Sequence, residues 1–334
     1  MQRRDFLTRL AAGATLVGRG TPMLAMASLL GQNVRSASLE GGGSASASTR
    51  KRHTPPSPPP RLERIAISSW SLHNYFRATR DSTFNLPGPM LALLDLPELI
   101  IARYKVRHLE FCASHFPSKD PAYLRELKYA LVHTRSTIVN MPVDIPECGS
   151  EGTFSDPDRE ERRAALDAVK EWVDVAHLLG AKSVCVGPGK VDPENLAPTT
   201  EAYRALANYA LAKGVHVMVE NRNGFGAANP EELVKLMKLV GPGCIVALPD
   251  FSNFPDEPTR ERGLKMLFPY APTVCHATGL EFDANGIETG YDFSQAMEIA
   301  KRSGFHGVYS IEFDGPGDPY SGIQKTLDEL LKYL

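Results

Sequence analysis

From residue 61 to the C-terminus, eight short apolar runs bounded by turn residues alternate with segments whose apolar positions recur at helical spacing. The runs occupy 65–70 (IAISSW), 106–112 (VRHLEFC), 137–141 (TIVNM), 182–187 (KSVCVG), 215–221 (VHVMVEN), 244–250 (CIVALPD), 272–278 (PTVCHAT) and 307–313 (GVYSIEF). Several are almost continuous in Val, Ile, Cys and Ala, the composition of parallel strands covered on both faces. Parallel neighbours need crossover connections, and the intervening segments provide them. Ala165, Val169, Trp172, Ala176 and Leu179 mark the third helix, and Leu233, Leu236, Met237 and Val240 the fifth. Asp120-Pro121 and Asn229-Pro230 each set a capping residue before a proline, a combination that predicts helix starts. Eight such pairs between residues 61 and 334 predict an α/β chain folded as a (β/α)8 TIM barrel, whose usual size is roughly 250 residues. A doubly wound open sheet fits less well, because no glycine follows the first run where a phosphate loop would sit. GPGK at 187–190 is too short for a nucleotide-binding loop and reads as a turn.

The chain ahead of the barrel differs in kind. Of the 37 basic and 39 acidic residues, the first 60 positions hold eight basic and two acidic, which leaves the barrel region at −8. So acidic a body is a poor match for a phosphate backbone, so no nucleic-acid partner is expected. Residues 2–7, QRRDFL, resemble a twin-arginine export signal, and a weakly apolar stretch follows up to the small residues Ala25-Met26-Ala27. The expectation is a signal peptide over 1–27 that engages the twin-arginine translocase, with the mature protein periplasmic or extracellular. The uncharged part of that stretch is far below the ~20 residues of a membrane span, so no stable membrane insertion is expected. Residues 28–60, ending in GGGSASASTRKRHTPPSPPP, lack the apolar side chains needed to offset ordering entropy and read as a disordered linker. The domain boundaries predicted are therefore 1–27, 28–60 and 61–334. The five cysteines, Cys112, Cys148, Cys185, Cys244 and Cys275, show no paired spacing and read mostly as small buried hydrophobes.

The carboxyl ends of barrel strands are where this fold keeps its chemistry. Run five ends at Glu220, run six at Asp250, run seven carries His276 and run eight Glu312. Four successive strands thus each deliver one metal-type ligand to the same end of the barrel. Three carboxylates so placed repel one another unless protonated or bridged by a cation, and a divalent ion is the economical bridge. Three oxygens and one imidazole suit Mn²⁺, Co²⁺, Mg²⁺ or Zn²⁺, and ligand type alone does not choose among them; Mn²⁺ is the first expectation. Near the same mouth, His115, Arg222, Asn140 and Trp70 are candidates for substrate contact, with Tyr75 and Phe225 as further walls for a sugar face.

The segments EFCASHFPSKDPAYLRELK, VENRNG, PDFSNFPDEP, CHATGLEFDANGIETGYDF and YSIEFDGPGDPY resemble the xylose isomerase-like TIM barrels of the sugar phosphate isomerase/epimerase family, the group of D-tagatose 3-epimerase and hydroxypyruvate isomerase. The resemblance implies that Glu220, Asp250, His276 and Glu312 hold one divalent metal and that Glu220 and Glu312 are the catalytic acid/base pair. The sequence departs from the family at two places. Asn253 stands where many members have a histidine three residues after the strand-six Asp, and Thr278 where many have a basic residue two beyond the strand-seven His. Both changes bear on substrate, and Asn253 joins His115, Arg222 and Trp70 as a substrate-binding candidate.

The function this implies is exported, metal-dependent isomerisation or epimerisation of a neutral sugar or hydroxyketone through a metal-stabilised enediolate. The alternatives are a lyase or hydratase acting on keto-glycosides or inosose-like substrates, and a non-catalytic sugar-binding barrel. The partner expected is a small sugar, and association into a homo-oligomer is left open by the sequence.

Overall fold

The computed structural model describes residues 60–81, 88–145, 154–222 and 225–334. The expected signal peptide, all but the last residue of the expected linker, and Cys148 lie outside the described residues.

All eight predicted runs form strands: β1 Ile65–Ser68, β2 His108–Glu110, β3 Thr137–Pro142, β4 Ser183–Cys185, β5 His216–Glu220, β6 Ile245–Leu248, β7 Val274–Gly279 and β8 Val308–Phe313. Every pairing is parallel, in the order β6-β5-β4-β3-β2-β1-β8-β7. The two ends of that order meet in a parallel bridge between Asp250 and His276. There Phe251 N–H donates to His276 O at 3.2 Å and His276 N–H to Pro249 O at 2.8 Å. Pro249 has no N–H to offer, so the β6–β7 ladder stays short.

Eight helices follow the strands: α1 Leu96–Tyr104, α2 Pro121–Thr134, α3 Arg159–Leu179, α4 Ala197–Leu211, α5 Pro230–Val240, α6 Glu257–Leu267, α7 Phe293–Arg302 and α8 Pro319–Leu330. The predicted stripes are the buried faces of α3 and α5. Burying one of their large apolar side chains stabilises by about 1.5–3 kcal/mol, so an acid at Val169 or Leu233 would open the helix from the sheet. Glu160 and Glu161 start α3, where the helix dipole favours negative charge, and Gly180 ends it with φ 82°. Asp120 and Asn229 are the N-cap residues of α2 and α5 as expected, but neither side chain makes the cap hydrogen bond. The following proline fixes the first helical φ and removes one of the orphan N–H groups on its own.

The period-two alternation of the strands sorts two layers. Outward residues such as Ile65, Ile67, Leu109, Val217, Val219, Cys275 and Ile311 join the large core beneath the helices. Inward ones, Ala66, Val139, Cys185, Met218, Leu248 and Val274, fill the barrel's own interior. In step with that inner set, Ser68, Glu110, Glu220, His276 and Glu312 turn into the barrel one layer nearer the carboxyl ends. At β2–β3 the register shifts, so that Leu109 faces Ile138 while Glu110 faces Asn140. This bulge aims Asn140 at Glu110 although Val139 already points inward. Cys112, Cys185 and Cys275 are buried free thiols and Cys244 is half-buried. Among the described residues no helix is long and apolar enough to cross a membrane.

Candidate metal centre at the barrel mouth

Glu220, Asp250, His276 and Glu312 converge. Each offers one ligand atom, these atoms lie within 4.8 Å of one another, and all four residues are buried. His276 Nδ1 stands 3.3 Å from Glu220 Oε1, 3.6 Å from Asp250 Oδ2 and 3.7 Å from Glu312 Oε2. It is fully buried and makes no hydrogen bond. A buried imidazole nitrogen that faces three carboxylate oxygens without bonding to any of them is oriented as a ligand rather than as a donor.

The protein's own donors hold these carboxylates in place, and two of the converging oxygens, Glu220 Oε1 and Asp250 Oδ2, are themselves among the acceptors. Asp250 Oδ1 accepts from Ser252 N–H at 2.6 Å, Ser252 Oγ at 2.9 Å and Asn253 N–H at 3.0 Å. Its Oδ2 accepts from Thr278 Oγ1 at 2.8 Å. The Asp250 backbone is clamped by Asn221, which accepts from Asp250 N–H at 2.8 Å and donates to Asp250 O at 3.1 Å. Glu220 Oε1 accepts from Asn253 Nδ2 at 3.1 Å, and its Oε2 is 3.5 Å from Arg222 Nη1. Glu312 Oε1 accepts from Ser68 Oγ at 3.2 Å.

The electrostatics call for positive charge. At 4.8 Å and an effective dielectric near 20, two carboxylates repel by about 3–4 kcal/mol, so three of them together strain the site by about as much as a whole domain's net stability. Burial disfavours a charged His276, but Glu110 and Glu312 outweigh it and hold its pKa well above the ordinary value. Burial likewise works against a charged Asp250, yet His276, Thr278 and Ser252 keep its carboxyl below the usual range. Without a metal the protonated form of His276 is thus favoured beside an ionised Asp250, and a bound cation would stand where the Nδ1 proton does. The donor set of three oxygens and one nitrogen fits a hard or borderline divalent ion.

Of the other residues singled out in the sequence, Asn253 and Thr278 bond to the converging carboxylates, Asn253 to Glu220 and Thr278 to Asp250. Arg222 grips Asp144 with both terminal nitrogens, Nη1 to Oδ2 at 3.2 Å and Nη2 to Oδ1 at 2.7 Å. His115 is buried, with Nδ1 2.9 Å from Ser69 Oγ and Nε2 3.0 Å from Thr79 Oγ1. Thr79 Oγ1 donates to His73 O, and Ser69 Oγ accepts from Cys112 N–H. Because the Thr79 hydroxyl spends its proton on His73 O, it accepts from His115 Nε2–H. Its ring stacks on Phe76 at 4.0 Å, and Trp70 stacks on His73 at 4.7 Å. Trp70, Tyr75 and Phe225 are all buried.

Sequence reasoning passed over Glu110. It is fully buried at the end of β2, and its Oε2 lies 3.0 Å from His276 Nε2 and accepts from Asn140 Nδ2 at 3.0 Å. Asn140 Oδ1 in turn accepts from Ser183 Oγ at 2.9 Å. Burial would raise the Glu110 pKa, but His276 and Asn140 bring it below the ordinary value. The available signal was an acid inside an otherwise apolar strand, the same signal that marks Glu220 and Glu312.

The family model described as "Xylose isomerase-like TIM barrel" matches residues 100–333. No curated protein matches the sequence. Among solved structures, a xylose isomerase-like TIM barrel protein from Mycobacterium smegmatis in complex with magnesium is 17% identical with a TM-score of 0.59, covering 81% of this chain and 96% of that one. D-psicose 3-epimerase with D-tagatose from Clostridium cellulolyticum is 17% identical with a TM-score of 0.57, over 80% of this chain and 95% of that one. The 3-keto-D-glucoside 4-epimerase of E. coli, in its apo form, is 15% identical with a TM-score of 0.57, over 80% of this chain and 99% of that one. At such identities the likeness is one of fold. With a family match over most of its length and eight parallel strand–helix units, this chain belongs to the xylose isomerase-like TIM barrel family.

Proposed function

We propose that this protein is a divalent-metal-dependent isomerase or epimerase of a neutral sugar or hydroxyketone. The observation that carries the reading is the orphaned His276 Nδ1 facing Glu220, Asp250 and Glu312 at the barrel mouth. Two structural neighbours bear the names of sugar epimerases, and another holds magnesium, which supports the same direction. We take Mn²⁺ as the first ion to test, then Co²⁺, Mg²⁺ and Zn²⁺.

When bound, the ion supplies Lewis-acid polarisation of a carbonyl and its neighbouring hydroxyl, which acidifies the C–H between them. The chain's own residues do the rest. Glu220 on β5 and Glu312 on β8 enter the mouth on either side of Asp250 and His276, so they can address opposite faces of a substrate held there. One takes the carbon-bound proton and the other returns a proton to the same or the adjacent carbon. Ser68 holds one oxygen of Glu312, and Asn253 holds Glu220, so each base keeps its aim between the two transfers.

A neutral substrate is favoured by charge. Barrels of this fold commonly hold phosphate with the loops after strands seven and eight. Here the loop after β7 carries Glu281, Asp283 and Glu288, and that after β8 carries Asp314 and Asp318. Asp318 already caps the start of α8, accepting from Ser321 N–H at 2.9 Å. A phosphoryl group would meet carboxylates where it needs donors.

The deciding experiment is solvent deuterium incorporation into a panel of neutral keto-sugars by the metal-loaded protein. Exchange at a carbon next to the carbonyl, abolished by Glu220→Gln and Glu312→Gln, supports the reading. Loss of water or of a glycosidic leaving group from the substrate would assign a lyase instead. Metal uptake with neither exchange nor elimination across the panel would assign a binding barrel. We further propose export through the twin-arginine pathway. Replacing Arg3 and Arg4 with Lys should retain the protein in the cytoplasm, and unchanged export would refute the assignment.

A further inference from the structure

Glu110 is the buried carboxylate of the mouth that stands outside the converging ligand set, on the opposite side of the His276 ring. It reaches His276 across the barrel, since β2 and β7 are separated in the sheet by β1 and β8. A neutral imidazole carries one N–H, and either nitrogen can hold it. With the proton on Nδ1, it would point toward Glu220 Oε1, 3.3 Å away, and close the centre to a cation. With the proton on Nε2 it is met by Glu110 Oε2 at 3.0 Å, and the Nδ1 lone pair is left facing the three carboxylates. We infer that Glu110 is a positioning residue that locks His276 in the metal-binding tautomer and ring orientation, an inference that rests on the metal reading above.

Two further observations carry it. Glu110 is itself aimed by the chain Ser183–Asn140–Glu110, made in part by the β2–β3 bulge that sets Asn140 opposite it. Its second oxygen, Oε1, is buried without a hydrogen-bond partner. A residue serving the fold alone would do better as an apolar side chain of like volume, because a buried charge with an unsatisfied oxygen works against stability. Partners of this kind, which donate or accept at the outer nitrogen of a ligating histidine, typically affect metal affinity 10- to 100-fold.

The test measures Mn²⁺ dissociation constants by chelator competition and the absorption bands of the Co²⁺-substituted protein, in the full chain. Glu110→Gln keeps the shape and should weaken Mn²⁺ binding about 10- to 100-fold and shift the Co²⁺ bands. On a His276→Gln background the same substitution should change Mn²⁺ affinity by less than about twofold, because its effect runs through the imidazole. Asn140→Ala, which leaves the carboxylate in place but removes its guide, should give a smaller loss that also vanishes without His276. Parental Mn²⁺ affinity in Glu110→Gln, or the same loss with and without His276, would overturn the inference. A merely structural Glu110 would instead lower the metal-free melting temperature and leave the Mn²⁺ affinity of the folded protein unchanged. If the parent itself takes up no divalent ion, the metal reading fails, an outcome distinct from a parent that binds while Glu110 is indifferent.

Discussion

Replacing Glu312 with Gln removes one charge from the centre while keeping volume and an oxygen that Ser68 can still contact. In the metal-free protein Glu312 faces Glu220 and Asp250 within 4.8 Å and the His276 imidazolium at 3.7 Å. At an effective dielectric near 20, losing two repulsions of about 3.5 kcal/mol each against one attraction of about 4.5 kcal/mol leaves a net relief of about 2–3 kcal/mol. For a domain of this size 1 kcal/mol moves the melting temperature by about 2–4 °C. The chelated variant should therefore melt at or up to several degrees above the chelated parent. Loading with Mn²⁺ reverses the order, because the parent offers one more negative ligand, so the metal-induced rise in melting temperature should shrink in the variant. Turnover in the metal-saturated variant should fall by about 10² to 10⁴, the range for a lost general acid or base. Scanning calorimetry with and without chelator reads both stability effects. A chelated variant that melts several degrees lower, with an unchanged metal-induced rise, would mean that the cluster is an internal ion-pair network and not a cation site.

Two other substitutions examine the surroundings. Thr278→Val keeps shape but removes the donor to Asp250 Oδ2; urea unfolding of the chelated protein should show a loss of about 1.5–3 kcal/mol, as for a hydrogen bond to a charged group, and a neutral result would mean that the hydroxyl is idle. Arg222→Met removes the forked pair on the largely buried Asp144 and should destabilise by about 3–5 kcal/mol, with Arg222→Lys recovering only part because an ammonium cannot fork to both oxygens; equal stability of all three would remove the pair from the account.

The order of strands and helices was open to reading because each strand of a parallel barrel is buried on both faces and so is written as an apolar run. The candidate ligands stood out for the same reason: Glu220, Asp250, His276 and Glu312 are conspicuous against such runs. Glu110 had the same local signature, but its partner lies on β7, and no local pattern states which strand a side chain will meet across a barrel. Thr278 and Asn253 present a related difficulty. Both read as substrate positions, and the structure adds contacts to Asp250 and Glu220 that the sequence did not announce. A polar residue at a strand end looks the same in sequence whether it lines a pocket or braces a ligand. His115 offered a free-looking imidazole, and the two hydroxyls that engage its nitrogens, Ser69 and Thr79, come from the segment after β1. The helix caps at Asp120 and Asn229 were placed correctly but proved unbonded, since composition reports the position of a cap and not its rotamer.

The join between β6 and β7 has a bearing on how the protein opens. Two backbone hydrogen bonds close the sheet there, and they belong to the neighbourhood of Asp250 and His276, two of the four putting their side chains into the centre. Any ion shared by those side chains acts as a rivet through the cylinder's thinnest stave joint. Such an ion would tie the two staves together, so parting them would cost its bonds as well as the two backbone hydrogen bonds, and a loaded centre would make this joint harder to open.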